Sequence, residues 1–426
     1  MSFLLRSFVQ TYRDAFEGLP RAVWLVGTVT FINRAGTMVM PFLSLYVVSW
    51  LHLPPAAAGW VLAAFGLGSV VGSFAGGKLS NRFGAQTMQL VTLVISGGGF
   101  LALSQLRSFG ALVVGVFLVS AIGDAYRPAA MVAAVEAAPL AVKPRALALL
   151  RLAAHLGWSV GPAVGGLLAA WDYRLLFLGD GITCWLAALV LWRFAAPESV
   201  APESAALRSA EPAAGDALAQ GEPGSPPEVV AAAPALPTAG IWRDGPFLGL
   251  LLMAFLLAVV VFQFTGALPL YLHRDYQLSE GAIGLVFGLH SGLIVAFEMV
   301  FVHRLQNRQP MAVFGLGCLI TCLSFSMLLL GSGFAWAVLV MALWAVGEML
   351  SMPFCNFLVT LRAGDRPGEH LGVYTAAFSC ALVVGPPLGL AVYERFGGVG
   401  LWLGVGALGP LLWLGSRLLE PHFRRA

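Results

Sequence analysis

Residues 109–135 read FGALVVGVFLVSAIGDAYRPAAMVAAV. Apolar side chains fall all round this run instead of on one stripe, the pattern of a helix surrounded by lipid or by other helices. It is also longer than the roughly 20 residues needed to cross a bilayer. Inside it, Gly123-Asp124-Ala125-Tyr126-Arg127-Pro128 places an acid, a phenol, a base and a proline in what is otherwise hydrocarbon. Asp124 and Arg127 stand three residues apart and share a helix face. An unpaired charge at bilayer depth costs several kcal/mol, so both are functional candidates, set against the plainer reading of a pair that ties two helices together.

The rest of the chain agrees with that stretch. Its 426 residues are 59% hydrophobic and 11% charged, whereas charged residues make up about a quarter of a soluble domain. Apolar runs of this length that do not alternate exclude a β-barrel and point to an all-α, polytopic membrane protein. The five cysteines all lie inside apolar runs, so no disulfide framework is expected; Cys318 and Cys322 are one turn apart but lack the further ligands of a metal site. Basic residues are spread among loops, which argues against a nucleic-acid partner. Residues 1–21, with Arg6, Arg13, Asp14 and Glu17, read as a cytoplasmic amphipathic N-terminal segment and not as a cleavable signal.

Twelve spans are expected, near 22–47, 57–79, 87–106, 109–135, 146–170, 175–194, 246–272, 281–303, 311–331, 334–360, 371–393 and 399–418. They fall into an N-terminal six-helix half, 22–194, and a C-terminal half, 246–419, separated by a flexible cytoplasmic linker, 195–245, and followed by a short tail, 420–426. Ala195 to Gly240 is rich in Ala, Pro, Glu and Gly and cannot bury a core. Of the 24 Lys and Arg residues, 18 fall on the side of the termini and linker, four (Arg107, Arg174, Arg274, Arg395) on the other, and Arg34 and Arg127 inside spans. That bias puts both termini in the cytoplasm of a cell-membrane protein.

The halves repeat. Tyr46, Leu53 and Gly59 recur as Tyr271, Leu278 and Gly284, and Pro128 as Pro353, each 225 residues on. Gly161-Pro162-Ala163-Val164-Gly165 returns as Gly385-Pro386-Pro387-Leu388-Gly389, 224 residues on. Two parallel six-helix repeats suit a protein that rocks its halves about a midplane site.

Two motifs carry a family resemblance. Gly77-Lys78-Leu79-Ser80-Asn81-Arg82-Phe83-Gly84-Ala85-Gln86, at the turn between spans two and three, resembles the G-x-L-a-D-R-x-G-R-K motif of the major facilitator superfamily. Gly77 is expected to allow close helix approach, Arg82 to supply charge and Gly84 to permit the turn. Asn81 stands where that family has aspartate, and Ala85-Gln86 where it has a basic pair. In span five, Gly157-Trp158-Ser159-Val160-Gly161-Pro162-Ala163-Val164-Gly165-Gly166 is similar to the G-x-x-x-G-P-x-x-G-G motif of the family's 12-span drug/proton antiporters. Small residues at this spacing allow tight packing, and Pro162 would bend the helix near the seam between halves. The arginine that those antiporters carry early in span four is missing here, with Arg127 the candidate substitute. The resemblance implies the major facilitator fold and transport of a small solute, with no catalytic residues and no cofactor beyond a proton gradient.

The same resemblance makes spans one and four line a central cavity, where Arg34 would face Asp124 or Arg127 and attract a substrate carboxylate or hold a counter-acid. Glu348 follows Gly347 as Asp124 follows Gly123. Asp124, Glu348 and Glu298 are therefore the proton-coupling candidates, since a desolvated carboxylate titrates nearer neutrality. Asn33, Tyr126, His155, Gln263, His290 and Asn356 are candidate cavity-lining or counter-charge residues. Asp180 reads as structural, with Arg174 as its partner. The expected function is secondary active transport by alternating access: proton-coupled efflux of an amphipathic compound, or else symport of a peptide, sugar or other organic solute. A non-transporting receptor or scaffold is the reading from another class. The partners expected are a small-molecule substrate and the lipid bilayer, and the chain is expected to be a monomer.

Overall fold

The computed structural model describes residues 18–139, 142–195, 241–305, 307–363 and 367–423. Most of the expected N-terminal segment, nearly all of the linker and the end of the tail lie outside them. Among the described residues all regular structure is helical, as expected where no water is present to satisfy a strand edge. In chain order the α-helices are α1 Arg21–Ala35, α2 Val39–Leu45, α3 Pro55–Phe83, α4 Ala85–Leu103, α5 Phe109–Asp124, α6 Tyr126–Glu136 and α7 Lys143–Ala169. They continue as α8 Arg174–Phe194, α9 Gly245–Val261, α10 Ala267–Arg274, α11 Glu280–Leu305, α12 Pro310–Ser326, α13 Phe334–Ala363 and α14 Pro367–Leu419.

Among the described residues, eleven helical stretches are long and apolar enough to cross a membrane, the last covering His370–Phe423. At 1.5 Å per residue a straight helix of that size would run to roughly 80 Å, well over twice the hydrocarbon thickness. It does not stay straight: Gly397, at φ 69° and ψ −177°, breaks α14 into two arms. A side chain is disfavoured at that φ, which is why glycine sits at the bend. The count is thus consistent with twelve crossings. Large apolar side chains such as Trp60, Phe74, Leu167, Trp192 and Leu411 point outward, a belt that only lipid would cover.

Span boundaries follow local chemistry. Pro55 and Pro310 open α3 and α12, where a missing N–H costs nothing. Asp244 caps α9 by accepting the Phe247 N–H at 3.2 Å. Gly84, at φ 84°, ends α3 and makes the turn expected of it. The fourth span is interrupted at Ala125, directly after Asp124. Pro128 explains the break, because its ring removes the N–H that would bond the Asp124 carbonyl.

The first span of each half is broken at matching places. α1 ends at Gly36 before α2 begins at Val39, and α9 ends in a 3₁₀ turn, Phe262–Phe264, before α10 begins after Gly266. The halves meet where α7 packs on α11 and α3 packs on the first arm of α14. Under the 225-residue repeat these are one contact made twice. A side chain at Gly284 would collide with the Pro162 carbonyl, and one at Gly59 would come within 3.0 Å of Pro387 Cα. Gly59 and Gly284, like Pro162 and Pro387, are 225 apart, so the repeated marks in the sequence are the residues of the seam.

Candidate functional site

A group of ionisable side chains lies at that seam, on α7, α11 and α13. Glu348, on α13, turns toward His290 on α11, with Oε2 3.5 Å from Nε2. The distance suits charge attraction better than a formed hydrogen bond, and His290 Nε2 is buried with no hydrogen-bond partner. The imidazole lies flat on Trp344, ring centroids 3.9 Å apart at 23°. Phe264 stands between Trp344 and Phe287, at 5.7 and 4.4 Å, and touches Trp158 of the other half at 6.1 Å. An acid and an imidazole held this way inside an aromatic wall can share one proton, as two neutral groups or as an ion pair.

Two turns along α11, Glu298 makes an ion pair with Arg151 of α7, joining one half to the other. Arg151 and Glu298 both lie within electrostatic reach of Glu348, as does His155 of His290. The structure therefore brings together Glu348, Glu298, His290 and His155, and adds Arg151. The sequence reading missed Arg151 because it counted this residue among loop charges; its place about two turns inside α7 was the available signal.

Arg34 and Asp124 also meet, Nη2 to Oδ1 at 3.9 Å, but not in a cavity between the halves. They line a cavity enclosed within the N-terminal half by the first, second, third, fourth and sixth spans, together with Asn33 and Tyr126. The Tyr126 hydroxyl bonds Thr30 at 3.0 Å. Arg127 is exposed and takes part in no ion pair among the described residues, so the base beside Asp124 is Arg34. Asp180 is not paired with Arg174: its two oxygens accept the N–H groups of Met38 at 2.8 Å and Val39 at 3.3 Å, holding the break in the first span.

Asp124 and Glu348 are also not equivalents. In the 225-residue register set by Pro128 and Pro353, Glu348 matches Gly123, and Met349 matches Asp124. One residue is about 100° of helix rotation, and Met349 packs in a cluster with Ile294 and Ala345. The two acids accordingly face different partners.

Other expected residues have structural places. Gln263 donates to the carbonyls of Val259 at 2.9 Å and Gly385 at 2.7 Å, tying the seventh span to the eleventh instead of lining a cavity. Asn356 is exposed on α13. Gly157, Gly161 and Gly165 press on Arg34–Met38 of the first span, and Gly166 on Gly284 of α11. In the α3–α4 turn Arg82 is exposed and the Asn81 side chain lies outside the described residues. Close approach there occurs at Gly76, where a Cβ would stand 2.6 Å from Ala125 Cα; at Gly77 it would find only ordinary contact, 3.9 Å from Pro128.

On the side opposite the termini the halves close. α2 packs on α10, Phe42 lies 6.5 Å from Phe287, and Tyr173 donates to Glu280 Oε1 at 2.7 Å. The inner segments α1 and α9 pack within their own halves.

The sequence matches the family model described as Major Facilitator Superfamily over residues 23–370. A protein of Deinococcus radiodurans named "Putative sugar efflux transporter" is 28% identical over 383 residues, covering 87% of this chain and 89% of that protein. The Bacillus subtilis protein named "Uncharacterized MFS-type transporter YqjV" is 23% identical, covering 88% and 86%. Among solved structures, the peptide transporter POT in complex with sulfate superposes with a TM-score of 0.73 at 16% identity, covering 96% of this chain and 97% of that one, which speaks for the fold. With a family match over most of its length, this multi-pass membrane protein belongs to the major facilitator superfamily and is a transporter, not an enzyme.

Proposed function

We propose that the chain is a proton-coupled secondary transporter that exports a small amphipathic solute by alternating access. The observation that carries this reading is the Glu348–His290 pair: one proton's worth of charge, shared by a half-buried carboxylate and a buried imidazole at the seam, within reach of the Arg151–Glu298 bridge between halves. Loading or removing a proton there changes the energy of whatever arrangement of the halves surrounds it, which is the differential binding that a coupled equilibrium needs. Asp124, beside Arg34, is the second carboxylate of this scheme. Residues 22–194 and 246–419 act as the moving halves, joined by the linker of 195–245. With both termini in the cytoplasm of the cell membrane, the conformation described here is closed to the outside.

The direction of transport rests on the relative named for sugar efflux. Proteoliposomes containing the full chain, under an imposed pH gradient and offered lipophilic cations and sugars, test it. At least one solute moves against its gradient with opposing proton flux, and Glu348→Gln uncouples the two. Solute movement in the same direction as the protons would instead establish symport, and no movement of any solute with intact protein would end the reading.

A further inference from the structure

The cavity inside the N-terminal half is separate from the Glu348 site, and its chemistry is sorted by position. At one end stand Arg34, Asn33, Asp124 and the Ser96 hydroxyl; toward the other stand Phe65, Phe100, Leu103 and Val116. Arg34 and Asp124 are 17% and 13% exposed, and their 3.9 Å separation is beyond hydrogen-bond reach. A guanidinium carries five N–H donors in a planar fork, and this pairing leaves the fork without close acceptors. Ser96 Oγ, in a residue only 2% exposed, has no hydrogen-bond partner either. The cavity volume is about 80 Å³, room for a few ordered waters.

We propose that this cavity is a binding site for a small monocarboxylic acid with an apolar body, its carboxylate forked onto Arg34 and its body against Phe65 and Phe100. A bidentate carboxylate satisfies the guanidinium as the distant Asp124 does not. Around Asp124, the ionisable groups lining the cavity are Arg34 on the first span, Tyr126 on its own span, and Asp180 and Cys184 on α8; the second and third spans contribute Phe65, Thr92 and Ser96, none of which titrates. Asp180 is engaged by two backbone N–H groups and Tyr126 by Thr30. The ligand places a second carboxylate on the Arg34 guanidinium, with Arg127 in electrostatic reach of it and Asp180 held by its two backbone N–H groups, and the balance at Arg34 is restored when Asp124 takes a proton from solution as its hold on Arg34 is replaced. Ligand binding is therefore coupled to uptake of one proton at Asp124. The site shares Asp124 with the transport scheme, but its binding test stands apart from the Glu348–His290 pair and from export.

Titration calorimetry of hexanoate into the purified full chain in detergent, with no gradient imposed, tests the proposal independently of transport. In buffers of different ionisation heat, one proton is taken up per hexanoate bound, and affinity falls about tenfold per pH unit once Asp124 is ionised. Hexanamide, with the same shape and no charge, does not bind. Arg34→Gln weakens hexanoate at least tenfold, and Asp124→Asn, a near-isosteric change, retains binding without proton uptake. Equal binding of hexanamide, wild-type affinity in Arg34→Gln, or proton uptake persisting in Asp124→Asn would overturn the assignment. So would binding of palmitate without hexanoate, which would make the occupant a membrane lipid. Loss of transport with these results intact would count only against the export reading.

Discussion

At the scale of single residues, the buried polar groups divide into those that hold the fold and those left free to change charge. Asp180 is of the first kind. Asp180→Ala strands two buried N–H groups, each costing about 1–3 kcal/mol, so the purified protein should melt at a clearly lower temperature; an unchanged melt would show that the first-span break does not need this cap. Asp244 is another. Burial alone would raise its carboxyl, but the Arg362 guanidinium, at 2.7 and 2.8 Å, and the Phe247 N–H hold it below the ordinary carboxylate value. A depressed acid contributes stability that is full above its unfolded value of about 3.9 and is lost as pH falls through the lower folded value. Thermal melts should therefore soften below about pH 4, and Arg362→Ala should remove part of that dependence. Sequence spacing located Arg34, Asp124 and Glu348 because charges in apolar runs are conspicuous. The expected Arg34–Asp124 pair forms, but in a cavity of one half, and Glu348 is not the counterpart of Asp124, since a one-residue slip in the repeat register turns a side chain by about 100°.

At the scale of elements, glycine placement decides how closely spans approach. Gly68, Gly72 and Gly76 form a four-residue ladder on α3 that lets α5 and Ala125 settle against its backbone; a Cβ at Gly72 would stand 2.9 Å from Ala121 Cα. Gly72→Val should cost about 1–3 kcal/mol by overpacking, seen as a lowered melt, while Gly98→Val, where a Cβ meets nothing within 4 Å, should be neutral. The motif Gly157 to Gly166 was readable as a packing stripe, but of its glycines and proline only Pro162 and Gly166 meet the other half, while Gly157, Gly161 and Gly165 pack on the first span. The two arms of α14 were read as the last two spans, whereas the break at Ala125 was less legible, because Pro128 specifies a bend without specifying its direction. The breaks in spans one and seven went unread for the opposite reason: apolar composition continues through them.

At the scale of the molecule, the fold was legible almost whole from apolar run length, charge bias and the repeat, all of which report the bilayer and not the solute. The cross-half contacts were not, because Tyr173, Glu280, Arg151 and Glu298 come from distant parts of the chain with no local signal. Tyr173→Phe removes a single hydrogen bond from the closure opposite the termini, worth about 1 kcal/mol, and should raise the population open on that side about fivefold. Pulsed electron-electron resonance between spin labels at Trp171 and Gln277, in a background without the exposed Cys380, would read it.

The same pair of labels tests the central claim, that the proton held by Glu348 decides which side is open. In the wild type the Trp171–Gln277 distance should be short at acid pH and gain a long component as pH rises and the pair loses its proton. Glu348→Gln, fixed in the neutral form, should stay short throughout; a Glu348→Gln protein that opens with pH as the wild type does would contradict the account.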